Sequence, residues 1–124
     1  MGAVRTPDDR RAALARGAAA EDHVATLLTQ QGWGVVSRNW RGGGGELDIV
    51  VRRGDALRFV EVKARRPDDL HGPEMAVGPG KQRKLARAAR AFLAAWTEPF
   101  EEAAFLVALV EGPKVTLIDD AFDV

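Results

Sequence analysis

GELDIVVRRGDALRFVEVKAR, residues 45–65, is the stretch on which the fold turns. It holds two short runs rich in β-branched residues, Glu46–Arg52 and Leu57–Lys63, separated by Gly54 and Asp55. A two-residue loop beginning with glycine suits a type II′ turn, whose twist matches a pair of antiparallel strands. With that turn, Asp48 faces Glu61 and Glu46 faces Lys63. Side chains alternate along a strand, so residues 46, 48, 61 and 63 are expected on one face of the hairpin.

Upstream, residues 1–9 are polar and contain Pro7, which predicts a frayed tail running into a helix with Asp8 and Asp9 near its start. From about Arg10 to Gln31, Ala20, Val24, Leu27 and Leu28 recur at helical spacing, and Gly32 supplies a stop. Trp33 to Trp40, with Val35 and Val36, reads as a strand running into the glycine run Gly42–Gly45.

Downstream, Ala64–Gly80 carries Pro67, Gly72, Pro73, Gly78, Pro79 and Gly80 and is expected to be a long loop. Lys81–Trp96 resumes helical spacing, with Leu85, Ala89, Phe92 and Trp96 on one face and Arg83, Lys84, Arg87 and Arg90 on another. Ala104–Val110 and Lys114–Ile118 form a second hairpin around Gly112 and Pro113. The expected fold is α/β, one domain over residues 1–124, with a mixed five-stranded sheet flanked by helices.

Composition narrows the chemistry. A chain of 124 residues, 46% apolar and 29% charged, builds one core without staples. It has no cysteine, which excludes a thiol nucleophile and a thiolate zinc site, and only two histidines, His23 and His71, which argues against a histidine base or a multi-histidine metal cage. Eighteen carboxylates remain as ligands and acid/base groups. The longest apolar run, Ala103–Val110, falls well short of the roughly 20 residues that cross a bilayer. The alanine-rich stretch near 12–20 is interrupted by Arg16 and lacks a signal peptide's apolar centre, so no membrane partner and a cytoplasmic location are expected.

Two carboxylates facing each other across a hairpin repel, a penalty of order 0.2–1 kcal/mol that something should offset. A divalent cation between Asp48 and Glu61 would do so, since Mg2+ is commonly held by one or two carboxylates with water and phosphate completing its octahedron. Lys63 would then place a positive charge beside it. The alternative is a hairpin end where Glu46 pairs with Lys63 and the two acids lie apart in solvent.

The zero net charge hides a division. Residues 1–96 carry 17 basic and 11 acidic groups, whereas residues 97–124 carry 1 and 7. Lys81, Arg83, Lys84, Arg87 and Arg90, beside Arg65 and Arg66, read either as a solvated helix face or as a surface for nucleic-acid phosphates. Arg38, Arg41, Arg52 and Arg53 extend that surface if they face it. Gly42–Gly45 lacks a following Lys-Ser/Thr and leads into a strand, which excludes a nucleotide P-loop. A flexible connection, or the close approach of a nucleic-acid backbone, is expected there. Trp33, Trp40 and Trp96 are read as packing residues rather than base-stacking platforms.

Gly45-Glu46-Leu47-Asp48-Ile49-Val50 followed by Phe59-Val60-Glu61-Val62-Lys63-Ala64-Arg65 resembles the signature of the YraN-type proteins. These belong to the PD-(D/E)xK, restriction-endonuclease-like superfamily and are similar to Holliday junction resolvases. Gly17, Glu21, Ala25 and Leu28, then Arg38, Asn39 and Arg41, and then Gly72 through Leu85 continue the likeness over about residues 17–96. Leu47 stands where the superfamily usually has proline.

The resemblance implies a restriction-endonuclease-like core with Asp48, Glu61 and the Val62 carbonyl as ligands of Mg2+ or Mn2+. It makes Lys63 the catalytic lysine and Glu21 the acidic helix residue completing the site. It further implies DNA, branched or junctional, as partner and a homodimer as the assembly. Three functional readings follow: a metal-dependent endonuclease, a nucleic-acid-binding module of the same fold that does not cleave, and a protein-interaction domain using the acidic C-terminal segment.

Overall fold

The computed structural model describes residues 7–64 and 77–124, and the side chains among these except at 7–10 and 12–16. Arg65, Arg66, His71 and most of the expected loop lie outside the described residues. The elements run α1 (Pro7–Gln30), β1 (Gly34–Gly42), β2 (Gly45–Arg53), β3 (Ala56–Ala64), α2 (Pro79–Ala95), β4 (Glu102–Glu111) and β5 (Lys114–Asp119). The order is the expected one. Helix α1 begins at Pro7, inside the segment expected to fray, because proline at a first helical position gives up an N–H that has no partner there.

The five strands lie in chain order across one sheet, and only β3 and β4 run parallel. Antiparallel neighbours are joined by short turns, whereas the parallel pair needs the crossover that contains α2. The sheet carries α1 on one face and α2 on the other. Ala20, Val24 and Leu28 of α1 close over Trp33, Ile49, Val51, Val60, Leu106, Ala108 and Val110. Leu85, Ala88, Ala89 and Phe92 of α2 close over Leu47, Val50, Phe59, Phe105, Val107 and Leu109. Full burial of a Val, Leu or Phe contributes roughly 1.5–3 kcal/mol, so the Ala-rich α1 is anchored chiefly by Val24 and Leu28. This is an α/β fold with a mixed five-stranded sheet flanked by helices, consistent with a restriction-endonuclease-like core.

The β2–β3 turn holds as read. Gly54 has φ +62, and the ladder runs from Arg53↔Ala56 to Ile49↔Val60 in the register that the Gly-Asp turn dictates. The glycine run does something else. Gly43 and Gly44, with φ +61 and +80, are the two turn residues of a β1–β2 hairpin, a pairing of positive φ values that a type I′ turn requires. The close approach is to protein rather than nucleic acid. A Cβ on Gly43 would stand 2.6 Å from the Arg87 carbonyl oxygen, and one on Gly45 2.8 Å from that of Lys84, so the hairpin tip is seated on the backbone of α2.

One rung of the β1–β2 ladder is missing. Arg38 pairs with Ile49 and Trp40 with Leu47, but Asn39 and Asp48 between them do not pair. Asn39 has φ +53, a left-handed conformation that costs a residue bearing a Cβ roughly 1–2 kcal/mol and that asparagine tolerates better than most. Both strands change faces at this rung. Ile49 packs in the α1 core and Arg38 reaches acids of α1, whereas Leu47 and Trp40 pack in the α2 core. Strict alternation across residues 46–49, on which the one-face expectation rested, does not hold.

Candidate functional site

Where the β2–β3 ladder stops, a side chain takes over the pairing. Asp48 Oδ2 accepts a hydrogen bond from the Val62 backbone N–H at 2.9 Å. In a strand, the N–H and C=O of one residue point to the same side, so the Val62 carbonyl also faces the opened gap between β2 and β3. Asp48 and Glu61 are thus not ladder partners, yet they are neighbours: the Asp48 charge acts directly on the Glu61 carboxyl.

Glu61 is buried on the α2 side of the sheet, its side chain only 11% exposed. Burial first, and then the neighbouring Asp48 charge, push its carboxyl up to about 7. Lys81, from the first turn of α2, opposes this with its Nζ 3.6 Å from Glu61 Oε1. Glu21 approaches from the α1 layer. Its carboxyl is raised, by burial and then by Asp48, and the Arg38 guanidinium 3.8 Å away works against that rise. Arg38 is held in turn by Asp22 at 2.8 Å. The site is therefore a gap through the sheet, with Glu21 and Arg38 on one side, Glu61 and Lys81 on the other, and Asp48 between them.

These donors suit a hard divalent cation. Asp48, Glu61 and the Val62 carbonyl offer oxygen only, the set that Mg2+ and Mn2+ prefer. Glu61 is buried beside Asp48 with one half-exposed ammonium as counter-charge, a carboxylate pair short of positive charge, and that fits a cation there. Among the described residues no group of three or more acidic or histidine side chains is drawn together as a ready-made cage. Glu21 borders the Asp48–Glu61 pair from the α1 side.

Two expected pairings change. Glu46 does not meet Lys63; the face change at Asp48 sends it toward α1, where it lies near Glu21 and pairs with Arg41 at 3.3 Å. Lys63 is exposed two positions beyond Glu61, opposite Leu109 of β4, and has no ion-pair partner among the described residues. Arg83, Lys84, Arg87 and Arg90 are all exposed along α2 and equally free of ion pairs among the described residues.

The other arginines do not extend that surface as free cations. Arg38 and Arg41 are paired as above, Arg52 pairs with Glu98 at 2.8 Å, and Arg53 lies 4.2 Å over the Trp33 ring. The tryptophans pack as expected: Trp33 is buried, and Trp40 and Trp96 both contact Phe92.

Sequence reasoning placed Lys81 with the basic helix face, and the structure turns it to Glu61. The available signal was its position, because a lysine in a helix's first turn opposes the macrodipole and calls for a nearby acid. Asn39 carried no such signal.

Comparison with known proteins gives the family. A family model described as "Uncharacterised protein family UPF0102" matches residues 20–124. The chain belongs to this family. UPF0102 is the YraN-type family that the hairpin resembles. The match takes in Glu21, Asp48, Glu61 and Lys63 and runs beyond the expected likeness through β4 and β5 to the C-terminus. A UPF0102 protein of Synechococcus sp. (strain JA-3-3Ab) is 45% identical over 122 residues, 91% of this chain and 92% of its own. One from Nitratidesulfovibrio vulgaris (strain DP4) is 44% identical over 113 residues, 88% and 84% of the two chains. One from Methylocella silvestris is 45% identical over 91 residues, 73% and 72%.

Proposed function

We propose that this UPF0102 chain is a divalent-metal-dependent endonuclease that hydrolyses DNA phosphodiester bonds. The observation that carries the reading is the buried Glu61 carboxyl held against Asp48 in a gap lined by the Val62 carbonyl and bordered by exposed lysines. Asp48, Glu61 and the Val62 carbonyl would hold Mg2+ or Mn2+. When bound, such an ion polarises a phosphoryl oxygen and lowers the pKa of water.

The chain's own groups do the rest. Lys63, two positions beyond Glu61 and without an ion pair among the described residues, places an ammonium where negative charge develops on the phosphate. Arg83, Lys84, Arg87 and Arg90 hold backbone phosphates without reading sequence. Glu21 borders Asp48 from the α1 side and is oriented by Arg38. Branched or junction DNA as substrate, and a homodimer that presents two such sites, come with the family likeness.

The test is cleavage of supercoiled, flapped and four-way DNA in Mn2+ by wild type and Asp48→Ala. Loss of cleavage in the variant by on the order of 10²–10³-fold, the size of effect seen when one charge-stabilising group is removed, supports the enzyme. Equal, salt-sensitive binding by both proteins without cleavage makes the chain a binding module, the reading favoured by the lack of a ready-made carboxylate cage among the described residues. No binding at low salt leaves the interaction domain. Light scattering on the DNA complex reads the assembly, and monomer alone would remove concerted two-strand cutting.

A further inference from the structure

The missing rung between β1 and β2 lies directly beside the candidate ligands, and its most unusual backbone belongs to neither of them. Asn39 has φ +53, between Arg38 and Trp40, both of which pair with β2, and separate from the bulge at Val36 where the register shifts between Val35 and Ser37. A strand with ordinary alternation would keep residues 47 and 49 on one face. Here Leu47 enters the α2 core and Ile49 the α1 core, while across the ladder Trp40 and Arg38 separate in the same way. Asp48 sits at the point of reversal, opposite Asn39. Released from a regular rung, it turns its carboxylate sideways to the Val62 N–H, at 2.9 Å, on the strand that carries Glu61 in the adjoining position.

We infer that Asn39 is the positioning residue of this site, its left-handed backbone opening the rung that lets Asp48 reach both the Val62 amide and Glu61. Its side chain is exposed and makes no hydrogen bond among the described residues, so the part it plays is conformational. Asparagine suits the position because it enters the left-handed region more readily than other residues with a Cβ, while a β-branched side chain there is a severe outlier. Glycine would serve as well, since it adopts positive φ without a steric penalty. The inference deepens the nuclease reading by assuming that Asp48 is a ligand, but the placement itself is read from the Val62 amide whether or not DNA is cut.

The experiment compares Asn39→Gly, Asn39→Ala and Asn39→Val with wild type by amide hydrogen exchange and by Mn2+ titration without DNA. Asp48→Ala serves as the control that removes the acceptor. The Val62 amide is expected to keep its protection in Asn39→Gly and to lose at least about tenfold in Asn39→Val, approaching Asp48→Ala. The amides of Val60 and Leu106, in regular ladders, should keep theirs. Mn2+ affinity should follow the same order, with Asn39→Ala between the extremes. If Asn39→Val does not fold, the Ala and Gly pair decides, since alanine is strained but tolerated. Unchanged Val62 protection in the strained variants overturns the inference. So does an equal loss in Asn39→Gly, which would assign the role to the asparagine side chain instead.

Discussion

Strand β3 buries two charged side chains, Arg58 and Glu61, at 8% and 9% exposure, and surrounds them in opposite ways. Arg58 is matched. Its guanidinium pairs with Asp119 at 2.7 Å and with Glu102, donates to the Leu57 carbonyl, and lies 5.5 Å from the Trp33 ring. Burial favours its neutral form, but the two carboxylates outweigh that and raise its pKa, while Asp119 is lowered in return. Glu61 is mismatched. Beside it lies another carboxylate, that of Asp48, and the ammonium that balances it stands 3.6 Å away on a half-exposed side chain. A buried charge with its full complement of partners serves the fold; one left short of them marks a place where a ligand is expected to supply the difference.

The largest effect should come from the matched residue. Arg58→Met leaves Asp119 and Glu102 without their cation, and because both are more than half exposed the loss should fall at about 2–3 kcal/mol, below that for a fully buried pair. Urea unfolding measures it, and Mn2+ affinity should not change. A change in Mn2+ binding would break the separation between the two regions.

Glu61→Gln should act the other way. The carboxyl titrates near 7 in the folded chain and near 4.5 when unfolded, so the folded state holds the proton more tightly. Its penalty is therefore absent below about pH 4.5, grows through the interval and is complete above about pH 7. The glutamine variant should gain about 2 kcal/mol over metal-free wild type at pH 8, less than the full distance from 4.5 to 7 implies because the amide that replaces the carboxyl is itself a buried polar group, and almost nothing at pH 4. Thermal melts at the two pH values test this, and equal gains at both would show that the carboxyl is not mismatched.

The smallest effect belongs to the partial counter-charge. Lys81→Met should cost less than about 1 kcal/mol at pH 8, since the ammonium is half exposed and screened. The loss should vanish at pH 4, where Glu61 is protonated, and diminish in salt.

Much of this was readable because it follows from local chemistry. Gly54 and Asp55 specify a turn, the turn specifies the register, and the register holds as far as Ile49↔Val60. Leu85, Ala89 and Phe92 specify the buried face of α2 by spacing alone. The site was legible as a set of residues and illegible as a geometry. Period-two alternation contains no term for a residue of opposite φ, so the face change at Asn39 and Asp48 was invisible, and with it the destination of Glu46. Gly42–Gly45 announced a close approach without naming what approached, because the Arg87 and Lys84 carbonyls come from a helix some forty residues away.

The division of tryptophans between the two layers provides an optical handle. Trp33 alone belongs to the α1 side, under the guanidinium of Arg53, whereas Trp40 and Trp96 both lean on Phe92 beneath α2. A chain carrying Trp40→Phe and Trp96→Phe would emit from the α1 layer only, and its converse, Trp33→Phe, from the α2 layer only. Intrinsic fluorescence from that pair of proteins would tell, during denaturation or on loading with a cation, which side of the sheet responds first.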